Sequence, residues 1–75
     1  MRTLKLAAHL SGEELKERMQ QAPTKELYRR WQCLYLTQRY PVTAAYLSDL
    51  SGLSISAVYL LIEAYNLHGS DSVAY

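Results

Sequence analysis

Residues 44–62, AAYLSDLSGLSISAVYLLI, set small and apolar side chains at helical spacing on both sides of one glycine, Gly52. Two short amphipathic segments joined through a tight glycine turn form the pattern of a helix-turn-helix, whose helices meet at a steep angle. Thr43 can cap a helix over 44–51, with Leu47 and Leu50 three apart on one face and the small Ser48 admitting a second helix closely. Leu53 is placed to plug the core. Ser54 is placed to cap a second helix over 55–66 whose buried stripe is Val58, Leu61, Ile62 and Tyr65. This period is helical, not the alternation of a strand. Asn66 and Gly69 both tolerate the left-handed conformation that closes a last turn, so the helix is predicted to end at Asn66.

The rest of the chain extends the same helical reading. Residues 1–10 read as an extended arm, for which plain disorder is the competing expectation. Ser11 with Glu14 three residues later is a capping box that opens a helix over 11–21. Ala22-Pro23-Thr24 breaks it, because Pro23 disfavours a helical conformation at Ala22 and Thr24 can cap the next helix. That helix, 25–39, is predicted to bury Leu27, Trp31, Leu34 and the stem of Gln38, with Tyr35 and Leu36 widening the stripe, before Tyr40-Pro41-Val42 stops it. The expectation is an all-α, small four-helix domain containing a helix-turn-helix and spanning residues 1–75. At 75 residues it lies near the lower size limit for a single unstapled core, and its 49% hydrophobic and 20% charged content is that of a globular chain.

Several function classes find no support. A large catalytic domain does not fit in this length. No apolar run approaches a membrane span, and the N-terminal apolar stretch is too broken for a signal peptide, so a cytoplasmic protein is expected. Cys33, the one cysteine, cannot form an internal disulfide and reads as a small packing residue. His9 and His68 lie near opposite ends, so no metal-ligand spacing exists, and three distant glycines make no phosphate loop. Glu13, Glu14 and Glu17 suit a solvated helix start favoured by the macrodipole, not a carboxylate pair. No enzyme activity, metal or cofactor is expected.

With KELYRRWQCLYL followed by YLSDLSGLSISAVYLLIEAYNLHG, the chain resembles, over nearly its whole length, the N-terminal DNA-binding domain of bacterial mariner-superfamily insertion-sequence transposases. The matching elements are the capped leading helix, Arg29-Arg30-Trp31, Gly52-Leu53-Ser54, Val58-Tyr59, and Tyr65-Asn66 before Gly69. The resemblance implies a homeodomain-like or winged-helix-like reader of double-stranded DNA that normally precedes a separate metal-dependent catalytic domain, whose activity is not expected of these 75 residues. One departure stands out. Readers of this kind usually carry Arg or Lys after the turn, whereas Ile55, Ala57, Leu60 and Ala64 occupy that stretch here. All eight Lys and Arg residues lie between Arg2 and Arg39, and from Tyr40 onward the side-chain charges are Asp49, Glu63 and Asp71.

Phosphate neutralisation supplies most nonspecific affinity for DNA, so the cations must come from the N-terminal half. On the DNA reading, Ser54, Ser56 and Tyr59 face the major groove and its phosphates, Arg2 and Lys5 on the arm reach a minor groove, and Arg29, Arg30 and Arg39 touch the flanking backbone. The plainer alternatives are that Ser54 is only a cap, Tyr59 a surface aromatic, and Arg29 and Arg30 partners of Glu26 or solvent. A second function class keeps the fold but uses Ile55, Tyr59 and Leu60 as a protein-interaction or dimerisation surface. A homodimer is compatible with both, because two copies double the basic surface and space two reading helices.

Overall fold

Four hydroxyl side chains decide where the helices begin. In a computed structural model, which describes residues 3–73, Ser11, Thr24, Thr43 and Ser54 adopt extended backbone and accept hydrogen bonds from the N–H groups of Glu14, Leu27, Tyr46 and Ala57. The helices they open are α1 (Gly12–Gln20), α2 (Lys25–Arg39), α3 (Ala44–Ser51) and α4 (Ile55–His68), followed by a 3-10 turn over Gly69–Ser72. Each cap satisfies a backbone donor that the helix itself leaves unpaired, a contribution of about 1 kcal/mol. At Ser11 the bond is reciprocated by the Glu14 carboxylate. Among the described residues there is no strand, and no single helix is long and apolar enough to cross a membrane.

The core draws on every element. Leu15 of α1, Trp31, Cys33 and Leu34 of α2, Ala44 and Leu47 of α3, and Val58, Ile62 and Tyr65 of α4 are buried together with Val42 and Val73. α1 packs most extensively on α2, and α4 rests on both α3 and the 3-10 turn. The Arg18 guanidinium lies 5.9 Å from the Trp31 ring centroid. Two buried hydroxyls are absorbed into helix backbones: Thr37 donates to the Cys33 carbonyl at 2.7 Å and Ser51 to the Leu47 carbonyl at 2.6 Å.

The α2 and α3 bounds coincide with those expected from the sequence, while α1 is one residue shorter at each end because Ser11 and Gln21 are its caps. Four expectations need correction. Leu50 is 48% exposed, not paired with Leu47 in the core, because Ala44, Leu47 and Ser51 centre the buried face and Leu50 stands about 100° from Ser51 around the helix. Gln38 is exposed. α4 does not end at Asn66 but runs on to His68, and Gly69, at φ 74° and ψ −154°, ends it.

The fourth correction is to the disorder expected as the alternative for the arm, which is docked over residues 3–10. Leu4 N–H donates to the Val42 carbonyl at 2.9 Å, and Leu4, Leu6 and Leu10 pack against the core. The Asn66 side chain accepts from Ala7 N–H at 2.7 Å and donates to the Lys5 carbonyl at 3.1 Å. Leu10 N–H donates to the Tyr65 hydroxyl at 3.1 Å, and the His9 ring meets Tyr65 edge-on at 5.3 Å.

Candidate nucleic-acid interface

The chain reverses sharply between α3 and α4. Gly52 caps α3 in the left-handed region at φ 81°, ψ 0°, its N–H donating to the Ser48 carbonyl, and the helix axis turns by 109° into α4. Leu53, between the two helices, has both backbone polar groups satisfied by α3 hydroxyls. Ser48 donates to its carbonyl at 2.6 Å, and its N–H donates to Ser51 Oγ at 3.2 Å. Such an angle is strongly specified, because loosening it leaves half-buried backbone groups without partners.

This turn presents the start of α4 to solvent. Ser54 accepts from Ala57 N–H at 3.0 Å, so its hydroxyl is committed to the cap, while Ile55, Ser56, Tyr59 and Leu60 are exposed. Ile55, Tyr59, Glu63, Ser56, Leu67 and Leu60 together occupy an arc of about 140° around the helix. Ile55, Tyr59, Leu60 and Leu67 are 49%, 48%, 67% and 69% exposed. Glu63 carries the one formal charge on that arc.

The basic residues expected to meet nucleic acid are dispersed. Arg29, on α2, reaches the turn: a Cβ built on Gly52 would stand 3.8 Å from its Nη1. Arg30 is engaged within the protein instead, with Nη2 2.8 Å from Glu26 and Nη1 3.5 Å from the Val73 carbonyl. Arg39 stacks on the Tyr35 and Tyr40 rings at 5.5 and 5.9 Å and donates to the Tyr35 hydroxyl. Lys5 and Arg39 line one open groove of about 810 Å³ between the arm and the end of α2, along with His9, Glu14 and Tyr40. Asn66, which pins the Lys5 carbonyl, lies about 15 Å along α4 from Ser56, so the docked arm sits at the far end of that helix from its exposed start. Arg2 lies outside the described residues.

Two groups matter to the site through the backbone that they hold, Ser51 and Asn66. Ser51 is 3% exposed and seats the turn. Asn66 holds the arm. The only sequence signal for Ser51 is a small polar residue one position before the glycine; for Asn66 the tolerance of Asn for helix ends points the wrong way.

Burial pushes the Cys33 thiol up from its ordinary value, partly opposed by the Ser51 hydroxyl, and pushes the Tyr65 phenol up, partly opposed by the bond from Leu10 N–H. Both are core groups and neither is poised for chemistry. Among the described residues, no group of three His, Cys, Asp or Glu side chains could hold a metal ion, and no buried side-chain nitrogen or oxygen lacks a hydrogen-bond partner. No family model, curated protein or solved structure matches this chain.

Proposed function

We propose that the chain is a helix-turn-helix module that binds double-stranded DNA, resembles the N-terminal domain of mariner-superfamily transposases, and has no catalytic activity of its own. The observation that carries this reading is the 109° turn about the left-handed Gly52, beyond which Ile55, Ser56, Tyr59 and Leu60 form an exposed face at the start of α4 while Val58 is buried. A major groove about 12 Å wide admits a helix, and in this geometry α4 would enter it N-terminus first while α3 crosses the sugar–phosphate backbone. Arg29 beside the turn would meet a flanking phosphate, with Lys5 and Arg39 contributing from the arm and the end of α2. Arg30, engaged by Glu26 and Val73, would contribute through the fold.

Three phosphates neutralised give a salt slope of about −2.7, or binding about fortyfold weaker at about 200 mM than at about 50 mM salt. The test is anisotropy of a labelled mixed-sequence duplex titrated with the purified chain at both salt concentrations. Binding that weakens steeply supports the reading. No binding at the lower salt removes it.

A second reading is favoured by the four large apolar residues exposed along α4, Ile55, Tyr59, Leu60 and Leu67. They would serve a protein-interaction or homodimer surface on the same fold. Sedimentation of wild type against Leu60→Asp separates the two, since loss of a dimer with unchanged helicity supports self-association and a monomeric wild type argues against it.

A further inference from the structure

The exposed start of α4 lacks the groups that recognise guanine. A guanine edge offers the O6 and N7 acceptors in the major groove and is best met by Arg or Lys. No Lys or Arg lies beyond Arg39, and the cation nearest the turn, Arg29, stands on α2 against Gly52. What the helix presents instead is hydrocarbon: Ile55, Tyr59 and Leu60 are 49%, 48% and 67% exposed, with the hydroxyl of Ser56 among them. Pressing such side chains onto a G·C edge, which is polar throughout, strands its groups with no apolar contact in return. Thymine differs, because its C5-methyl group projects into the major groove and gains from apolar contact.

Charge is distributed to match. The cations sit off the α4 face, on α1, α2 and the arm, with Arg29 the one placed against the turn, and the face itself is neutral except for Glu63. Glu63 only accepts hydrogen bonds, so it tolerates a base amino group and repels phosphate. We infer that α4 reads thymine methyl groups through Ile55, Tyr59 and Leu60, so that the preferred half-site is built on T·A pairs. This specificity rests on the DNA-binding reading and adds to it the class of sequence recognised.

The test begins with a random-centre duplex library selected on the purified chain at about 50 mM salt. The thymines of the selected duplex are then replaced one at a time by deoxyuridine, which deletes the methyl group and keeps every pairing group. Two or more thymines are expected in the selected site, with affinity falling about fourfold for each contacted methyl removed. In the Leu60→Ala variant, whose substitution is at an exposed helical position, the deoxyuridine effect should vanish at one of those thymines while salt dependence is kept. Selection without thymine enrichment, or deoxyuridine duplexes that bind as tightly as the parent while salt sensitivity persists, overturns the inference and leaves the DNA reading standing. A library and a mixed-sequence duplex that both fail to bind at about 50 mM salt overturn the two together.

Discussion

The carboxamide of Asn66 holds Ala7 as a neighbouring strand would, accepting its N–H at 2.7 Å from a position 59 residues later in the chain. Its Nδ2 donates to the Lys5 carbonyl at 3.1 Å, so a single side chain pairs two backbone groups on the same edge of the arm. The arm is thereby fixed along the C-terminal part of α4, where Leu4, Leu6 and Leu10 cover the core.

Removing that clamp leaves the Ala7 N–H and the Lys5 carbonyl unpaired. Asn66→Ala should therefore destabilise the chain by about 2 kcal/mol, read from urea unfolding. It should also accelerate hydrogen exchange at the Ala7 amide far more than at core amides of α2. Unchanged protection at Ala7 would mean that the arm is held by its leucines alone.

Gly52 and Gly69 have positive φ of different kinds, and asparagine distinguishes them. At φ 81° and ψ 0°, Gly52 lies in the left-handed region that Asn tolerates, and the nearest atom to an added Cβ is Arg29 Nη1 at 3.8 Å. At φ 74° and ψ −154°, Gly69 lies where only glycine is at ease, with the His9 ring 3.5 Å from an added Cβ. Gly52→Asn should cost about 1 kcal/mol or less and Gly69→Asn about 1–3 kcal/mol by thermal unfolding. The reverse order would contradict this assignment of the two turns.

Adjacent arginines should behave oppositely. Arg29→Ala removes an exposed cation beside the turn, so it should leave the melting temperature nearly unchanged, weaken DNA binding across sequences and reduce the salt slope by about 1. Arg30→Ala removes the bonds to Glu26 and Val73 and should lower the melting temperature. Differential scanning calorimetry paired with anisotropy separates the two effects.

Alkaline pH should weaken the fold. Burial favours the neutral forms of Cys33 and Tyr65, whose ordinary values are 9.0 and 10.0, so the folded chain holds these protons more tightly than the unfolded one. The resulting stability is complete below about pH 9 and is lost as pH rises toward the raised folded-state values. Urea midpoints measured from about pH 7 to about pH 10.5 should fall, and in Cys33→Ala the onset should move up to the phenol range. A midpoint that rises with pH would contradict the burial of both groups.

Local chemistry made most of the fold legible from sequence. Each helix start was readable because a Ser or Thr cap acts within three residues, and the α3–α4 turn because Gly52 is the residue that a left-handed cap prefers. What stayed hidden depends on distant partners. Nothing near Asn66 reveals that its amide faces an arm 59 residues away, and nothing near Arg30 reveals the Val73 carbonyl 43 residues on. Leu50 differs for a related reason: spacing places it beside Leu47, but the small Ser51, bonded to the Leu47 carbonyl and the Leu53 N–H, is the buried residue. For the candidate site, the exposed residues at the start of α4 were readable from periodicity. The separation of Lys5 and Arg39 from that surface needed the docked arm.

The central claim is that the first turns of α4 and the adjoining Gly52 turn contact DNA, and amide chemical-shift mapping of the labelled chain with a duplex at about 50 mM salt tests it most directly. The account predicts shifts concentrated at Gly52, Ser54, Ser56, Tyr59 and Leu60, with Arg29 alongside, that revert as salt is raised to about 200 mM. A spectrum unmoved by duplex, or shifts confined to the groove between the arm and the end of α2, would contradict it.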